Sequence, residues 1–185
     1  MSVTSESRDF EPAGPDQLVP APESTRILLR ARRDLTKHAS PAAVAQKNLI
    51  GNNSGNTIFT HAVHRVVSTA GAQVSVDAAP ENVARAGEIN EKYDQYIVPL
   101  ANAFRPSFVE SLDKYSALIE QLKIPVVIVG VGVQLNAESN NPERLEPVRQ
   151  NIDRFMRAVL KRSPSVGVRG ETTYNYLRSI GYSDD

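Results

Sequence analysis

Several features common in proteins are missing from this 185-residue sequence. It contains no cysteine, which excludes disulfide bonds, thiolate metal ligands and thiol nucleophiles. Neither sign of charge is in excess, because 21 lysines and arginines balance 21 aspartates and glutamates. No overall field therefore attracts the chain to nucleic acid or to anionic lipid, and any charged ligand must be recognised locally.

Long apolar runs are also missing. No run approaches the roughly 20 residues that a membrane-spanning helix needs, so no integral membrane segment is expected. The N-terminus lacks the basic, apolar and small-residue order of a secretory signal. We therefore expect a cytoplasmic protein.

The first 45 residues divide into two segments of different composition. Residues 1–24 are rich in Ser, Glu, Asp, Pro and Gly, and such a segment cannot bury enough apolar surface to offset its ordering entropy. We expect a disordered tail there. Residues 25–45 begin with TRILLRARRDLTK, where an apolar stripe and five basic residues predict a short basic amphipathic helix over residues 25–37. Such a helix either packs on the domain surface or contacts a membrane surface or an acidic partner.

From residue 46 the sequence alternates between strand-like and helix-like patterns. Strands are predicted at residues 73–76, 94–100, 124–133 and 165–168, and helices after residue 56 and over residues 80–93, 108–122, 145–159 and 171–180. The β-branched run IPVVIVGVGV over residues 124–133 is typical of a central parallel strand that is buried on both faces. The alternation predicts one α/β domain with a doubly wound, mostly parallel, Rossmann-like sheet and helices on both faces.

Ligands of doubly wound folds bind beyond the carboxyl ends of the strands, so the loops that follow strands hold the candidate binding residues. The first is the loop GNNSGN at residues 51–56, which precedes a helix and supplies Gly51, Asn52, Gly55 and Asn56. Backbone N–H groups at a helix start can bind phosphate or carboxylate. The plainer alternative is a turn in which Ser54 or Asn56 only caps the helix. The loop matches neither the dinucleotide fingerprint nor a Walker loop, so it implies no nucleotide specificity.

Two further loops carry arginines. Asn102 and Arg105 follow the strand predicted at residues 94–100, and Arg105 either binds an anion or stacks on Phe104. Arg169 ends the strand predicted at residues 165–168, where its rigid fork of donors suits carboxylate or phosphate. Its alternative role is an ion pair with Glu171 or a partner of the helix cap.

Three other polar residues are candidate ligands. Gln134 follows the central strand and either binds a sugar hydroxyl or satisfies loop backbone groups. His61 and His64 are three residues apart and share one helix face. Since no third candidate ligand accompanies the two histidines, no metal site is predicted.

Four segments together resemble the N-terminal part of polysaccharide pyruvyl transferases. They are NLIGNNSGN, DQYIVPL, IPVVIVGVGVQ and SVGVRGETTYNYLRSIG, and they extend over residues 46–181. The most specific segment begins at Arg169 and has Thr172, Leu177 and Gly181 in the family's spacing. It departs from the family pattern at Gly170, where an aspartate usually follows the arginine, and the family's glycine-rich turn is replaced by LANAF at residues 100–104.

The resemblance implies a transferase that moves a pyruvyl group from phosphoenolpyruvate to sugar hydroxyls as a ketal, in cell-wall or exopolysaccharide biosynthesis. It implies no cofactor beyond phosphoenolpyruvate as donor substrate, and a sugar or lipid-linked saccharide as acceptor. The family resembles two-domain glycosyltransferases, so residues 46–185 would be the first Rossmann-like half, with the C-terminal half absent and one domain face free for homo-oligomerisation. By this resemblance Arg169 and the loop at residues 51–56 bind the donor, and the catalytic residues are not identified. A nucleotide-sugar glycosyltransferase and a non-catalytic, truncated binding module are the alternatives.

Overall fold

The computed structural model describes residues 24–31, 37–47, 54–135 and 142–183. Its centre is an all-parallel sheet of four strands: β1 (Thr25–Arg30), β2 (Ala72–Asp77), β3 (Gln95–Pro99) and β4 (Val126–Val129). The helices of the described residues are α1 (Pro41–Lys47), α2 (Ser54–Val67), α3 (Ala86–Lys92), α4 (Val109–Gln121), α5 (Arg149–Leu160) and α6 (Glu171–Ser179). Short 3-10 helices at Val83–Arg85, Pro106–Phe108 and Pro142–Val148 lead into α3, α4 and α5. The tail predicted over residues 1–24 lies outside the described residues, except for Ser24.

The segment Thr25–Arg30 is a strand, so the amphipathic helix predicted to start at residue 25 is wrong. Its three consecutive apolar residues are all buried, and in a strand they point alternately to opposite faces. Leu28 joins the larger hydrophobic cluster, whereas Ile27 and Leu29 belong to the cluster on the other face of the sheet. Burial on both faces favours a strand because a surface helix needs a polar face.

The sheet has the strand order β2-β1-β3-β4. From β1 the chain moves to β2 on one side, then returns past β1 to β3 and β4 on the other side, so the winding reverses between β1 and β3. One face is covered by α2 through Val63 and Val67, and the other is covered by α3, α4 and α5. The predicted α/β class, with parallel strands and helices on both sides, is confirmed.

The strand predicted over residues 124–133 is shorter than expected. β4 ends at Val129, and Gly130 adopts a φ of 67°, a left-handed conformation that favours glycine. A Cβ at Gly130 would also lie 2.8 Å from Cζ of Phe59 on α2. Beyond this turn, single parallel bridges join Phe104 to Val133 and Val131 to Val168. The strand predicted at residues 165–168 is therefore only a bridge, and β4 is the last strand in the sheet order rather than a central one.

An ion pair joins the start of β1 to the residue before β3. Arg26 donates to both carboxylate oxygens of Asp94, from Nε at 3.1 Å and from Nη2 at 2.6 Å. The backbone N–H of Arg26 also donates to Asp94 Oδ2 at 2.8 Å. The side-chain hydrogen bonds, and then the backbone one, lower the pKa of Asp94 from 3.8 to about 2.

Shortening a buried side chain of β1 tests the strand assignment. Leu29 is 0% exposed, and we expect Leu29→Ala to lower the free energy of unfolding by about 2–5 kcal/mol because it leaves a cavity. The measurement is urea unfolding followed by circular dichroism. Val66→Ala, at a side chain that is 77% exposed, is the control and should change stability by less than about 0.5 kcal/mol. Equal effects of the two substitutions would contradict the burial of β1.

The pair of Arg26 and Asp94 predicts a pH-dependent contribution to stability. A carboxylate whose pKa is lowered by folding stabilises the fold above its unfolded pKa and loses this contribution as the pH falls through the folded value. The urea midpoint of the wild type should therefore exceed that of Asp94→Asn at neutral pH, and the difference should shrink between about pH 4 and about pH 2. A difference that stays constant down to pH about 2 would show that ionisation of Asp94 is not responsible.

The comparison variant is Glu110→Gln. Glu110 forms an exposed pair with Lys114 one helical turn away, and its side chain is 83% exposed. Exposed pairs of this kind contribute little to stability. We therefore expect a smaller effect than that of Asp94→Asn at neutral pH.

Candidate functional site

The carboxyl ends of β1 and β3 are neighbours at the point where the winding reverses, which is where doubly wound folds bind ligands. Arg30 is the last residue of β1, and Leu100 directly follows β3. Between these ends lies a cavity of about 70 Å³, which we call the inner cavity. Its polar lining includes Arg30, Asn56, Asn102 and Arg105, and its apolar lining includes Phe59 and Phe108.

A second depression, which we call the outer groove, lies beside the inner cavity and has a volume of about 370 Å³. Its polar lining includes Asn102, Gln134, Arg169, Glu171 and Thr172. The start of α6 is tied to the loop after β4, because the backbone N–H of Val133 donates to Oγ1 of Thr173 at 3.1 Å. Asn102 lines both depressions, so the two are adjacent parts of one site.

The side chain of Arg105 is anchored by neutral acceptors. Its Nη1 donates to the backbone oxygen of Asn102 at 2.8 Å and to Oε1 of Gln134 at 2.9 Å. Its Nε donates to Oγ of Ser107 at 3.1 Å. These contacts hold Arg105 without neutralising its charge. Gln134 therefore helps to orient the guanidinium group.

An aromatic ring also supports Arg105, but it is not the ring that the sequence suggested. The guanidinium carbon lies 5.4 Å from the ring centroid of Phe108. Phe104 is fully buried and packs edge-on against Phe155, with ring centroids 6.1 Å apart. The predicted alternative of Arg105 stacked on Phe104 is therefore wrong.

Arg169 lies on the outer groove and donates from Nη1 to Oδ1 of Asn102. Of the predicted roles, the ion pair with Glu171 does not form. Gly132 allows the close approach of this arginine, since a Cβ there would lie 3.2 Å from Cβ of Arg169 and 3.1 Å from the backbone oxygen of Ala101. The two asparagine oxygens, one backbone and one side-chain, thus accept hydrogen bonds from the two arginines.

Arg30 is a member of the site that the sequence argument missed. Its Nε donates to the hydroxyl of Tyr115 at 2.7 Å, and its Nη1 donates to the backbone oxygen of Pro99 at 3.0 Å. The available signal was the segment TRILLR itself, because its interpretation as a strand would have placed Arg30 at the functional edge of the sheet. Within the described residues, no carboxylate forms an ion pair with Arg30, Arg105 or Arg169.

The predicted site residues thus fall into three groups. The structure brings together Asn102, Arg105, Gln134 and Arg169. Asn56 lines the inner cavity. Gly55 precedes it in the first turn of α2 and is not part of the cavity lining. The backbone oxygen of Asn56 accepts a hydrogen bond from Oγ1 of Thr60 at 2.9 Å. Gly51 and Asn52 lie outside the described residues.

A buried carboxylate elsewhere on the same sheet edge has a structural role. Asp77, the last residue of β2, accepts hydrogen bonds from Arg85, from the hydroxyl of Tyr96 at 2.9 Å and from the backbone N–H of Ala79 at 3.1 Å. Burial, and then the charge of Asp77, raise the pKa of Tyr96 well above its usual value. Tyr96 therefore remains a neutral donor that ties β3 to the end of β2.

The described residues contain neither a cluster of metal ligands nor a membrane-spanning helix. No group of three or more His, Cys, Asp or Glu side chains among them is placed to hold a metal ion, and His61 and His64 on α2 have no third partner of this kind there. No helix in the same part of the chain is both long and apolar enough to cross a membrane.

Comparisons of the chain with protein-family models, with curated proteins and with solved structures find no match. The resemblance to polysaccharide pyruvyl transferases stays a prediction. The function must therefore be argued from the chemistry of the site.

Two glycines on either side of Arg169 provide a matched test of how the segment that carries this arginine packs against β4. A Cβ at Gly167 would lie 2.8 Å from the backbone oxygen of Ile128, whereas a Cβ at Gly170 would meet nothing within 4 Å. We expect Gly167→Ala to lower the free energy of unfolding by about 1–3 kcal/mol because backbone must move. Gly170→Ala should change it by less than about 0.5 kcal/mol. Chemical denaturation measures both, and equal stabilities would contradict the packing of this segment against β4.

Proposed function

We propose that this edge of the sheet binds phosphoenolpyruvate, as the donor half of a polysaccharide pyruvyl transferase-like enzyme. The observation that carries the proposal is the group of arginines around Asn102. Arg105 donates to its backbone oxygen and Arg169 to its side-chain oxygen, and Arg30 lines the same inner cavity as Asn102.

The way these arginines are held favours an anionic ligand. Their partners among the described residues are hydroxyl, amide and backbone oxygens, which fix the orientation of a guanidinium group but do not compensate its charge. Phosphoenolpyruvate carries a phosphate and a carboxylate, and a guanidinium group can bind either of them through two parallel hydrogen bonds. The resemblance of residues 46–181 to the family supports this donor over other dianions.

The proposed reaction transfers the pyruvyl group to two hydroxyl groups of a sugar, which both become bonded to the central carbon of that group. The methylene carbon of phosphoenolpyruvate takes up a proton and becomes a methyl group, and the bond from the central carbon to the phosphate oxygen breaks. Two carbon–oxygen bonds form to the sugar, and inorganic phosphate leaves. Of the two hydroxyl protons, one balances the new methyl hydrogen and the other leaves with phosphate.

The arginines supply one part of this reaction. They bind the donor and stabilise the negative charge that the departing phosphate gains, which is electrostatic stabilisation by preorganised donors. Glu171 is the carboxylate that lines the outer groove within the described residues. Proton transfer to the methylene carbon and from the sugar hydroxyls needs a further acid and base.

Calorimetric titration of phosphoenolpyruvate into the full chain and into Arg169→Ala tests the proposal. Arg169 is exposed, so its removal leaves the fold intact. Loss of its charge-assisted hydrogen bonds should weaken binding by about 1.5–3 kcal/mol, which is roughly tenfold to a hundredfold. Arg157→Ala is the matched control, because Arg157 is exposed and pairs with Asp153 on α5; it should bind like the wild type.

Uridine diphosphate in the same titration separates the proposal from a nucleotide-sugar glycosyltransferase. Tighter binding of uridine diphosphate than of phosphoenolpyruvate would favour the glycosyltransferase. Binding of phosphoenolpyruvate that is equal in the wild type and in Arg169→Ala would refute the assigned donor site. Binding without release of phosphate in the presence of sugar acceptors would favour a binding module.

A further inference from the structure

We infer that the inner cavity is the subsite for the phosphoryl group of the donor, that Arg30 is its principal cation, and that Tyr115 positions Arg30. This inference rests on the proposed function and adds the place and the residues that bind one end of the ligand.

The hydrogen bonds of Arg30 leave donors for a ligand. An arginine side chain has five N–H donors in a fixed fork. Among the described residues, Nε of Arg30 donates to the hydroxyl of Tyr115 and Nη1 donates to the backbone oxygen of Pro99, whereas Nη2 donates to none of them. Arg30 lines the inner cavity and is only partly exposed, so its remaining donors, which have no partner among the described residues, are available to an oxygen-rich group or water that enters the cavity.

The same argument applies to Arg105, the second arginine that lines the inner cavity. Nη2 of Arg105 also has no hydrogen bond within the described part of the chain, while its Nε and Nη1 are occupied. Arg30 and Arg105 thus place two positive charges on one small cavity that no carboxylate of the described residues enters. An oxyanion between them would replace repulsion by attraction on both sides.

An aromatic pair fixes the two arginines relative to each other. The guanidinium carbon of Arg30 lies 5.6 Å from the ring centroid of Tyr115, and that of Arg105 lies 5.4 Å from the ring centroid of Phe108. The two rings are stacked, with centroids 6.4 Å apart and planes 20° apart. Tyr115 is fully buried, so its hydroxyl is a rigid anchor for Nε of Arg30.

The size of the inner cavity is sufficient for the phosphoryl end of the ligand. Its volume of about 70 Å³ compares with roughly 10–15 Å³ for a single water molecule by the same kind of measure. There is room for one small tetrahedral oxyanion. The carboxylate end then lies in the outer groove at Arg169, and Asn102 separates the two subsites.

Inorganic phosphate is the probe that tests the inner cavity alone. Titrated into the full chain, it should bind roughly tenfold to a hundredfold more weakly to Arg30→Gln than to the wild type. Tyr115→Phe keeps the ring and loses the hydroxyl, so a decrease of about twofold to tenfold is expected. Arg157→Gln and Tyr182→Phe are the matched controls. They remove a guanidinium group and a tyrosine hydroxyl that both contact Asp153 on α5 rather than the inner cavity. Both variants should bind phosphate like the wild type.

Arg169→Ala separates this inference from the proposed function. It should weaken phosphoenolpyruvate but change phosphate affinity by less than about twofold, because its guanidinium group lies on the outer groove. Phosphate affinity that is unchanged in Arg30→Gln and reduced in Arg169→Ala would overturn the inner-cavity assignment and leave the proposed function standing.

A measurement on the wild-type chain covers the case in which Arg30→Gln does not fold. The Nε–H resonance of Arg30 in a nitrogen-15 spectrum should shift on addition of millimolar phosphate, in step with the calorimetric binding curve. An Arg30 resonance that does not move while phosphate binds would overturn the inference, and so would the absence of phosphate binding to the wild type.

Discussion

Parallel pairing of β1 with strands on both of its sides is the constraint on which the site depends. Leu29 of β1 is in register with Val76 on one side and with Ile97 on the other. Because β2 and β3 take up both edges of β1, the helices that follow must cross on opposite faces of the sheet, and a crevice opens beyond the carboxyl ends of β1 and β3. Arg30 reaches the inner cavity because it is the last residue of this strand.

The arginines of the site have a different kind of partner from several other arginines of the described structure. Arg26 pairs with Asp94 and Arg154 pairs with Glu120, whereas Arg178 contacts the ring of Tyr174. At the inner cavity, Arg30 and Arg105 meet only neutral oxygen atoms of the described chain and the faces of aromatic rings. Partial desolvation of an uncompensated guanidinium group opposes folding. Such groups are typical of sites whose counter-charge arrives with the ligand.

Much of the architecture could be predicted from patterns that are local in the sequence. The helical spacing of apolar residues gave α4, α5 and α6 within a few residues of their bounds, and DQYIVPL gave β3. The positions of Asn102, Arg105, Gln134 and Arg169 followed from one rule, that loops after parallel strands meet at one edge. The rule needs only the order of the elements, so their grouping in space could be foreseen.

The errors in prediction have a common physical origin. TRILLR contains only three consecutive apolar residues between arginines, and nothing local distinguishes a short buried strand from a helix segment. Its strand conformation depends on β2 and β3, which are far away in the sequence. The predicted stacking of Arg105 on Phe104 was also wrong. Phe104 packs against Phe155 in the core, which leaves Phe108 as the ring next to Arg105, and Phe155 is far from both in the sequence.

The early position of β1 in the chain has a consequence for how the protein folds. Thr25 pairs with Ala72, and Ile27 pairs with Gln95. Contacts over such distances are slow to form because a long loop must close first. During synthesis at roughly 5–20 residues per second, β1 leaves the ribosome seconds before either partner strand does. Its apolar residues then stay exposed for that interval, which makes β1 a natural point of contact for chaperones.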